Sequence, residues 1–390
     1  MAGRSMLGPA DVDDATITSI VAAALGERPG HVVVLGPEAS VGPYALDAIT
    51  TAGRYWVTAR ATTPSGERRV RMFVKHVQSW ARSPFFQFVP EEQRELAEAS
   101  VPWRTEPLVY QSDLRHRLPA GLTMPDALHV AFLDEASAVI WLPALDVVDH
   151  DWRTTDFARA AFLLGRLAGS PEVAQLARVG EPDTGPRTIR TYADGRLAVQ
   201  VAPLLRSGDL WRVPWVGEAF DPDLRARLLA ALDEVPAWVD EVEAAPQTAA
   251  HGDACPNNLL HTTGSEDITL IDYGFWSRQG VGFDLGQLLV GDVQIGRRAA
   301  STLSELERAI VPAFVSGLQA EGLEVDASTV ARAHALHLMV FTGLSAALVA
   351  PPDRDAPPPD PLAVAALAHE ARERATISRF CLDLVEATSR

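Results

Sequence analysis

Cysteine is nearly absent. Cys255 and Cys381 are the only two in 390 residues, so at most one bridge can form and no disulfide framework can carry the fold, which points to a reducing compartment. Long hydrophobic runs are missing too. No stretch approaches the roughly 20 consecutive apolar residues of a membrane span, and the N-terminal stretch "MAGRSMLGPADVDDATITS" turns acidic without an apolar core, so no secretory leader is expected. Cytoplasm is the expected location, with no membrane partner. Positive charge is scarce: 34 Lys and Arg face 51 Asp and Glu, a net charge of −17. Such a surface repels nucleic acid and anionic membranes, and it suits cationic small molecules or simply solubility. Two catalytic signatures are lacking as well. There is no G-x-S-x-G elbow for a Ser-His-Asp hydrolase, and "LGPEASVGPY" lacks the Lys-Ser/Thr ending of a Walker A loop.

What is present divides in two. At 390 residues the chain exceeds the roughly 250 to 300 residues beyond which single cores stop growing, and its periodicity changes near residue 145. Before that point it reads as strands: "YALDAIT", a turn at "TAGR", "YWVTARATT", a hairpin at "PSGE", and "RRVRMFVKHV". In the last, Val70, Met72 and Val74 alternate with Arg71, Phe73 and Lys75. An aromatic insertion with Trp80, Phe85, Phe86 and Phe88 follows, to pack on the sheet or serve as a lid, and then a short helix. Another helix carries Val109, Tyr110, Leu114 and Leu118. "ALHVAFLD" and "SAVIWLPAL" read as two more strands. One or two helices are expected in this part.

Helical spacing takes over afterwards. Thr154 or Thr155 can cap "DFARAAFLLGRLAG", whose apolar positions mark a helix buried on most sides. Helices are expected over 221–244, 284–291, 300–321, 327–349 and 361–387, with "PPDRDAPPPDP" as a break before the last. The stretch 170–215 reads as irregular.

The chemistry concentrates in "HGDACPNNLL", residues 251 to 260, followed by the turn "TGSED" and the strand "ITLI" that ends at Asp272. A hairpin there brings Asp253, Asn258 and Asp272 towards one point. Three oxygen donors suit magnesium better than a soft metal. Zinc between His251 and Cys255 would need about four ligands, and no second cysteine lies nearby. Asp284 stands before Leu285, Leu288 and Leu289 as a helix N-cap able to brace the loop, and His251 reads as a scaffold residue of it.

This constellation resembles the catalytic core of the protein-kinase-like superfamily, and specifically the aminoglycoside phosphotransferase and choline-kinase-like enzymes. Their loop H-G-D-x-x-x-x-N stands here as His251-Gly252-Asp253 with Asn258, and their I-D-x-G as Ile271-Asp272-Tyr273-Gly274; "GFDLGQLL" matches their aspartate at a helix start. The likeness of motifs spans roughly residues 44 to 295.

The resemblance implies an α+β, bilobal fold: a small antiparallel-sheet lobe over 1–145 that binds nucleotide, and a larger, mostly helical lobe over 146–390 with the catalytic loop and acceptor site. It implies ATP or GTP as phosphate donor, Mg2+ held by Asn258 and Asp272, and Asp253 as the catalytic residue that orients and deprotonates the acceptor hydroxyl. Lys75 falls where the family's phosphate-binding lysine falls. Glu106 is its expected partner, although Pro107 disfavours helical geometry there and Glu95 or Glu98 could serve instead. The backbone near Leu142 to Leu145 would meet adenine. Gly53 is the only glycine at the expected phosphate hairpin, which leaves open which backbone groups and side chains, Thr51 and Arg54 among them, touch phosphate. The acceptor would be an aminoglycoside, another antibiotic, an amino sugar, a sugar or an amino alcohol, with Asp292 meeting an amine. The rival expectation is a silent, nucleotide-binding module on the same fold. Oligomeric state is left open.

Overall fold

The computed structural model describes residues 3–42, 48–182, 188–348 and 360–389. The first part of the expected 44–50 strand, part of "GEPDTGP" and nearly all of the proline-rich break lie outside the described residues. The chain is α+β and divides into two compact units, Met1–Asp149 with Leu260–Trp276, and His150–Leu259 with Ser277–Arg390.

In the first unit, helix α1 (Asp14–Leu25) precedes strands β1 (Val33–Val41), β2 (Thr51–Thr63) and β3 (Gly66–Gln78). Helices α2 (Arg94–Ser100), α3 (Thr105–Gln111) and α4 (Leu114–Arg117) follow, then β4 (Leu122–Thr123), β5 (His129–Asp134) and β6 (Ser137–Pro143). Five strands form one antiparallel sheet in the order β1-β2-β3-β6-β5. The period-two pattern explains its inner face: Val57, Ala59 and Ala61 of β2 and Val70, Met72 and Val74 of β3 are buried together with Ile17, Ile20 and Val21 of α1. Strand β4 pairs in parallel with Ile268–Leu270.

Several expectations change here. Helix α1 adds to the one or two foreseen; Asp13 caps it by accepting the Thr16 N–H at 2.7 Å, and Gly26 ends it in the left-handed conformation. Residues 51–54 are not a turn but the start of β2. The end of the Tyr55 side chain lies over Gly53, where a Cβ would fall 2.3 Å from the Tyr55 hydroxyl and would have to push that ring aside. The aromatic insertion is a run of short 3-10 turns over Trp80–Arg82 and Pro84–Phe88, in which Trp80 meets Phe86 edge-on and Phe88 stays exposed.

The described residues of the second unit are mostly helical and include the short antiparallel pair Gln247–Ala250 and Ser277–Gly280. Helix Thr154–Gly169 buries Phe157, Ala161, Leu164 and Ala168. Its cap is neither Thr154 nor Thr155: Asp156 reaches back to accept the Arg153 N–H at 2.8 Å. It crosses helix Leu303–Ala320 very closely. A Cβ on Gly165 would sit 2.1 Å from the Phe314 carbonyl oxygen, and one on Gly317 2.0 Å from that of Phe162. Long helices also run over Pro222–Ala244, Asp284–Gln294, Ala327–Leu338 and Pro361–Thr388, and the described residues between 171 and 219 include short helical turns with a π-helical segment at Ala193–Val201. Among the described residues no helix is long and apolar enough to cross a membrane.

Candidate active site

In the first unit the site starts from one buried cation. The alternation of β3 that buries Met72 and Val74 against α1 turns Lys75 to the opposite face, yet Lys75 is also buried, in register with Arg54 of β2 and Ile140 of β6. Its Nζ lies 2.6 Å from Glu106 Oε2 and 2.9 Å from Asp272 Oδ1. Burial alone would lower the lysine pKa, but the two carboxylates overcome it and hold the ammonium above its ordinary range. Burial pushes the Glu106 carboxyl up, to about 7, against the pull of Lys75.

Glu106 is the second residue of α3, at the helix start, where Pro107 is tolerated. The proline occupies the first turn, where backbone N–H groups have no intrahelical partner to lose, so its missing donor costs little. Of the alternatives, Glu98 is engaged elsewhere, accepting the Ser79 hydroxyl at 2.6 Å, and Glu95 is exposed. Asp272 adopts φ 64° and ψ 64°, and among the described residues it is the one non-glycine with positive φ. Such a conformation is uncommon outside glycine, asparagine and aspartate and clusters at functional positions. Tyr110 of α3 packs edge-on against Tyr273, tying the Glu106 helix to the residue after Asp272.

At the end of β6, Leu142 is buried opposite Phe73. Pro143 has no N–H and the Ala144 N–H is taken by the Arg71 carbonyl at 3.1 Å. The Leu145 N–H donates to no described residue.

The second unit holds the loop. His251 is fully buried, and its Nδ1 accepts the Asp253 N–H at 3.4 Å. Asn258 donates through Nδ2 to the Asp253 carbonyl at 2.8 Å and to its carboxylate at 3.0 Å. With both amide hydrogens aimed at Asp253, the amide oxygen is the atom Asn258 presents elsewhere. Asp284 does not cap its own helix. Its carboxylate accepts the N–H groups of His251 at 2.8 Å and Gly252 at 2.9 Å, and burial raises its pKa to about 6 despite those bonds. Cys255 packs flat on the next helix, where a Cβ on Gly291 would come within 2.6 Å of its own. Among the described residues no group of three or more His, Cys, Asp and Glu is placed to hold a metal.

Two features of this unit were not foreseen. Arg297 donates to the Asn257 side-chain oxygen inside the loop, and Asp292 is buried, which raises its pKa, with Arg298 and Arg297 pulling the other way. The Arg297–Asn257 bond joins segments 40 residues apart, which no local pattern signals, whereas Asp292 and the two arginines are neighbours at the end of one helix.

The motifs, with their loop geometry now described, match a known family: residues 119–320, just over half of the chain, fit the one described as "Phosphotransferase enzyme family". The chain belongs to this phosphotransferase family. Asp253, Asn258, Asp272 and Asp284 lie within the matched span, whereas Lys75 and Glu106 lie before it. No curated protein matches the sequence. Among solved structures it is similar to an amicoumacin kinase, with 13% identity over 95% of each chain and a TM-score of 0.44. It is also similar to an aminoglycoside phosphotransferase from Streptomyces rimosus (18% identity, 85% of this chain and 98% of that one, TM-score 0.38). An ethanolamine kinase from Plasmodium vivax is 12% identical over 92% of this chain and 85% of that one, with a TM-score of 0.44.

Proposed function

We propose that this phosphotransferase moves the γ-phosphoryl group of ATP or GTP to a hydroxyl of a small molecule such as an aminoglycoside, another antibiotic, a sugar, an amino sugar or an amino alcohol. The observation that carries the reading is the buried contact of Lys75 with Glu106 and Asp272. A buried lysine is costly unless paired. With two of its three N–H groups on carboxylates, the ammonium keeps one donor for an anionic oxygen of the nucleotide.

Phosphoryl transfer needs charge neutralisation and alignment more than covalent help from the protein. Lys75 binds phosphate and Glu106 fixes its position. The Leu145 N–H is the backbone donor for the base, and Leu142 offers an apolar wall. Asp253, its carboxylate held by Asn258, orients the acceptor hydroxyl and takes its proton. The carboxylate of Asp272 and, in the second unit, the amide oxygen of Asn258 are each hard donors of the kind magnesium takes, and a magnesium ion when bound would neutralise phosphate charge.

The test is acceptor-dependent ADP release over a panel of amines, sugars and antibiotics, with Asp253→Ala as control. Turnover that falls on the order of 10²-fold to 10⁴-fold in the variant, with nucleotide binding retained, supports the reading. Tight magnesium-nucleotide binding without turnover for any acceptor would sink it.

A further inference from the structure

The second unit contains a cavity of about 820 Å³ walled by the segment after helix Asp284–Gln294, by Thr342 and Ser345, and by helix Pro361–Thr388. Its wall includes the end of a π-helical segment, Met339–Gly343, and such segments gather at functional sites. In a chain of net charge −17, this cavity is bordered by Arg297, Arg298, Arg374 and His369. Its two glutamates are committed. Glu370 pairs with Arg374 at 2.7 Å, and Glu373 accepts the Ala300 N–H at 2.6 Å. The other two arginines touch neutral partners instead: Arg297 bonds the Asn257 amide oxygen, and Arg298 bonds the Trp152 carbonyl at 2.6 Å and lies over the Phe157 ring. Among the described residues no carboxylate forms an ion pair with either, and the Arg298 Nε is buried without a hydrogen-bond partner. Both arginines act on the nearby Asp292 carboxylate, with which neither forms an ion pair.

We infer that the acceptor carries an oxyanion, a carboxylate or a phosphate, and that Arg297 and Arg298 bind it in this cavity. The inference rests on the reading that the chain phosphorylates a small hydroxylated molecule. It departs from the cationic acceptor that the acidic composition suggests: the charge of Asp292 is answered by the chain's own arginines, so an amine has less to gain there. A guanidinium matches a carboxylate or phosphate edge through two parallel hydrogen bonds. The bond from Arg297 to Asn257, in the loop of Asp253 and Asn258, joins this anion site to the residues assigned to transfer.

Four probes on one scaffold test it: D-glucuronate, D-glucose 6-phosphate, D-glucose and D-glucosamine. Binding to the full-length protein with Mg2+ and a non-hydrolysable ATP analogue is followed by saturation-transfer NMR at millimolar concentration, and ADP release is measured in parallel. At least one anionic probe is expected to bind roughly tenfold or more tightly than glucose, with glucosamine weakest. Arg297→Glu, at an exposed position, should reverse that order, and Arg374→Gln on the opposite wall should weaken the anionic probes less. A preference for glucosamine, an order unchanged in Arg297→Glu, or no detectable anionic probe overturns the inference. Binding of an anionic probe without any acceptor turnover would leave the anion site standing and overturn the phosphotransfer reading. Turnover with only neutral or cationic acceptors would do the reverse.

Discussion

The carboxylate of Asp284 accepts the backbone N–H of His251 at 2.8 Å, linking the start of one helix to the catalytic-motif loop 33 residues earlier. Its other oxygen takes the Gly252 N–H, so one buried side chain satisfies two successive donors of a loop that no regular structure supports. Asp284→Ala leaves both N–H groups buried and unpaired. A loss of about 3 kcal/mol is expected from charge-assisted bonds of this kind, read as a lower urea midpoint, together with reduced turnover. Asp284→Asn, which keeps one acceptor oxygen, should recover part of both.

Lys75 and Glu106 form a buried ion pair at 2.6 Å, and a double-mutant cycle should expose their coupling. Lys75→Met strands a carboxylate in a buried site and is expected to cost roughly 3 to 5 kcal/mol. Lys75→Met with Glu106→Leu removes both charges and should be the more stable of the two in urea. Both variants should lose nucleotide affinity, which separates the stability effect from the binding effect.

His334 and His337 give the fold an acid limit. Burial lowers their pKa values to about 4 and about 3, and Phe283 and Phe341 pack beside the His337 ring. The unfolded chain, with histidines near their ordinary 6.5, binds more protons below that pH than the folded chain does. Their contribution to stability is therefore complete above pH 6.5 and falls with pH towards the folded values. At about 1.4 kcal/mol per unit, His334 alone accounts for on the order of 3 kcal/mol across that window. Glu106 and Asp284, raised to about 7 and about 6, act in the opposite sense over this window, so the test is a difference: going from pH 7 to pH 5, the urea midpoint of His334→Gln should move upward relative to that of the parent protein.

The crossing of helices Thr154–Gly169 and Leu303–Ala320 requires Gly165 and Gly317. Added Cβ atoms would lie about 2 Å from backbone oxygens that cannot swing aside. Gly165→Ala and Gly317→Ala should each destabilise by at least about 1 to 3 kcal/mol through forced separation of the helices, seen as a lower melting temperature. An alanine at Gly264, whose Cβ position is open, tests the cost of a positive φ alone.

Much of the fold was legible where pattern is local. The alternation along 66–78, the stripe of 154–169 and the helices after 221 follow from period two or 3.6, and the order of the aspartate and asparagine motifs led to the family. Strand β1 escaped because Gly36 and Pro37 interrupt it. It is an edge strand whose pairing shifts between Leu35 and Glu38, where a missing N–H is tolerated. Asp13 and Gly26 bound α1, but the small residues between them give only a weak apolar stripe.

The sequence alone determined which residue types were available: a lysine on a strand, three nearby glutamates, and an aspartate-asparagine loop before a second aspartate. Only the tertiary structure decided that Glu106, and not Glu95 or Glu98, meets Lys75, that Asp272 joins them from 197 positions away, and that Arg297 reaches Asn257 in the loop 40 positions earlier. The reason is physical. Periodicity and capping act between neighbours along the chain, whereas pairing of buried charges depends on distance through space, which no local stretch encodes.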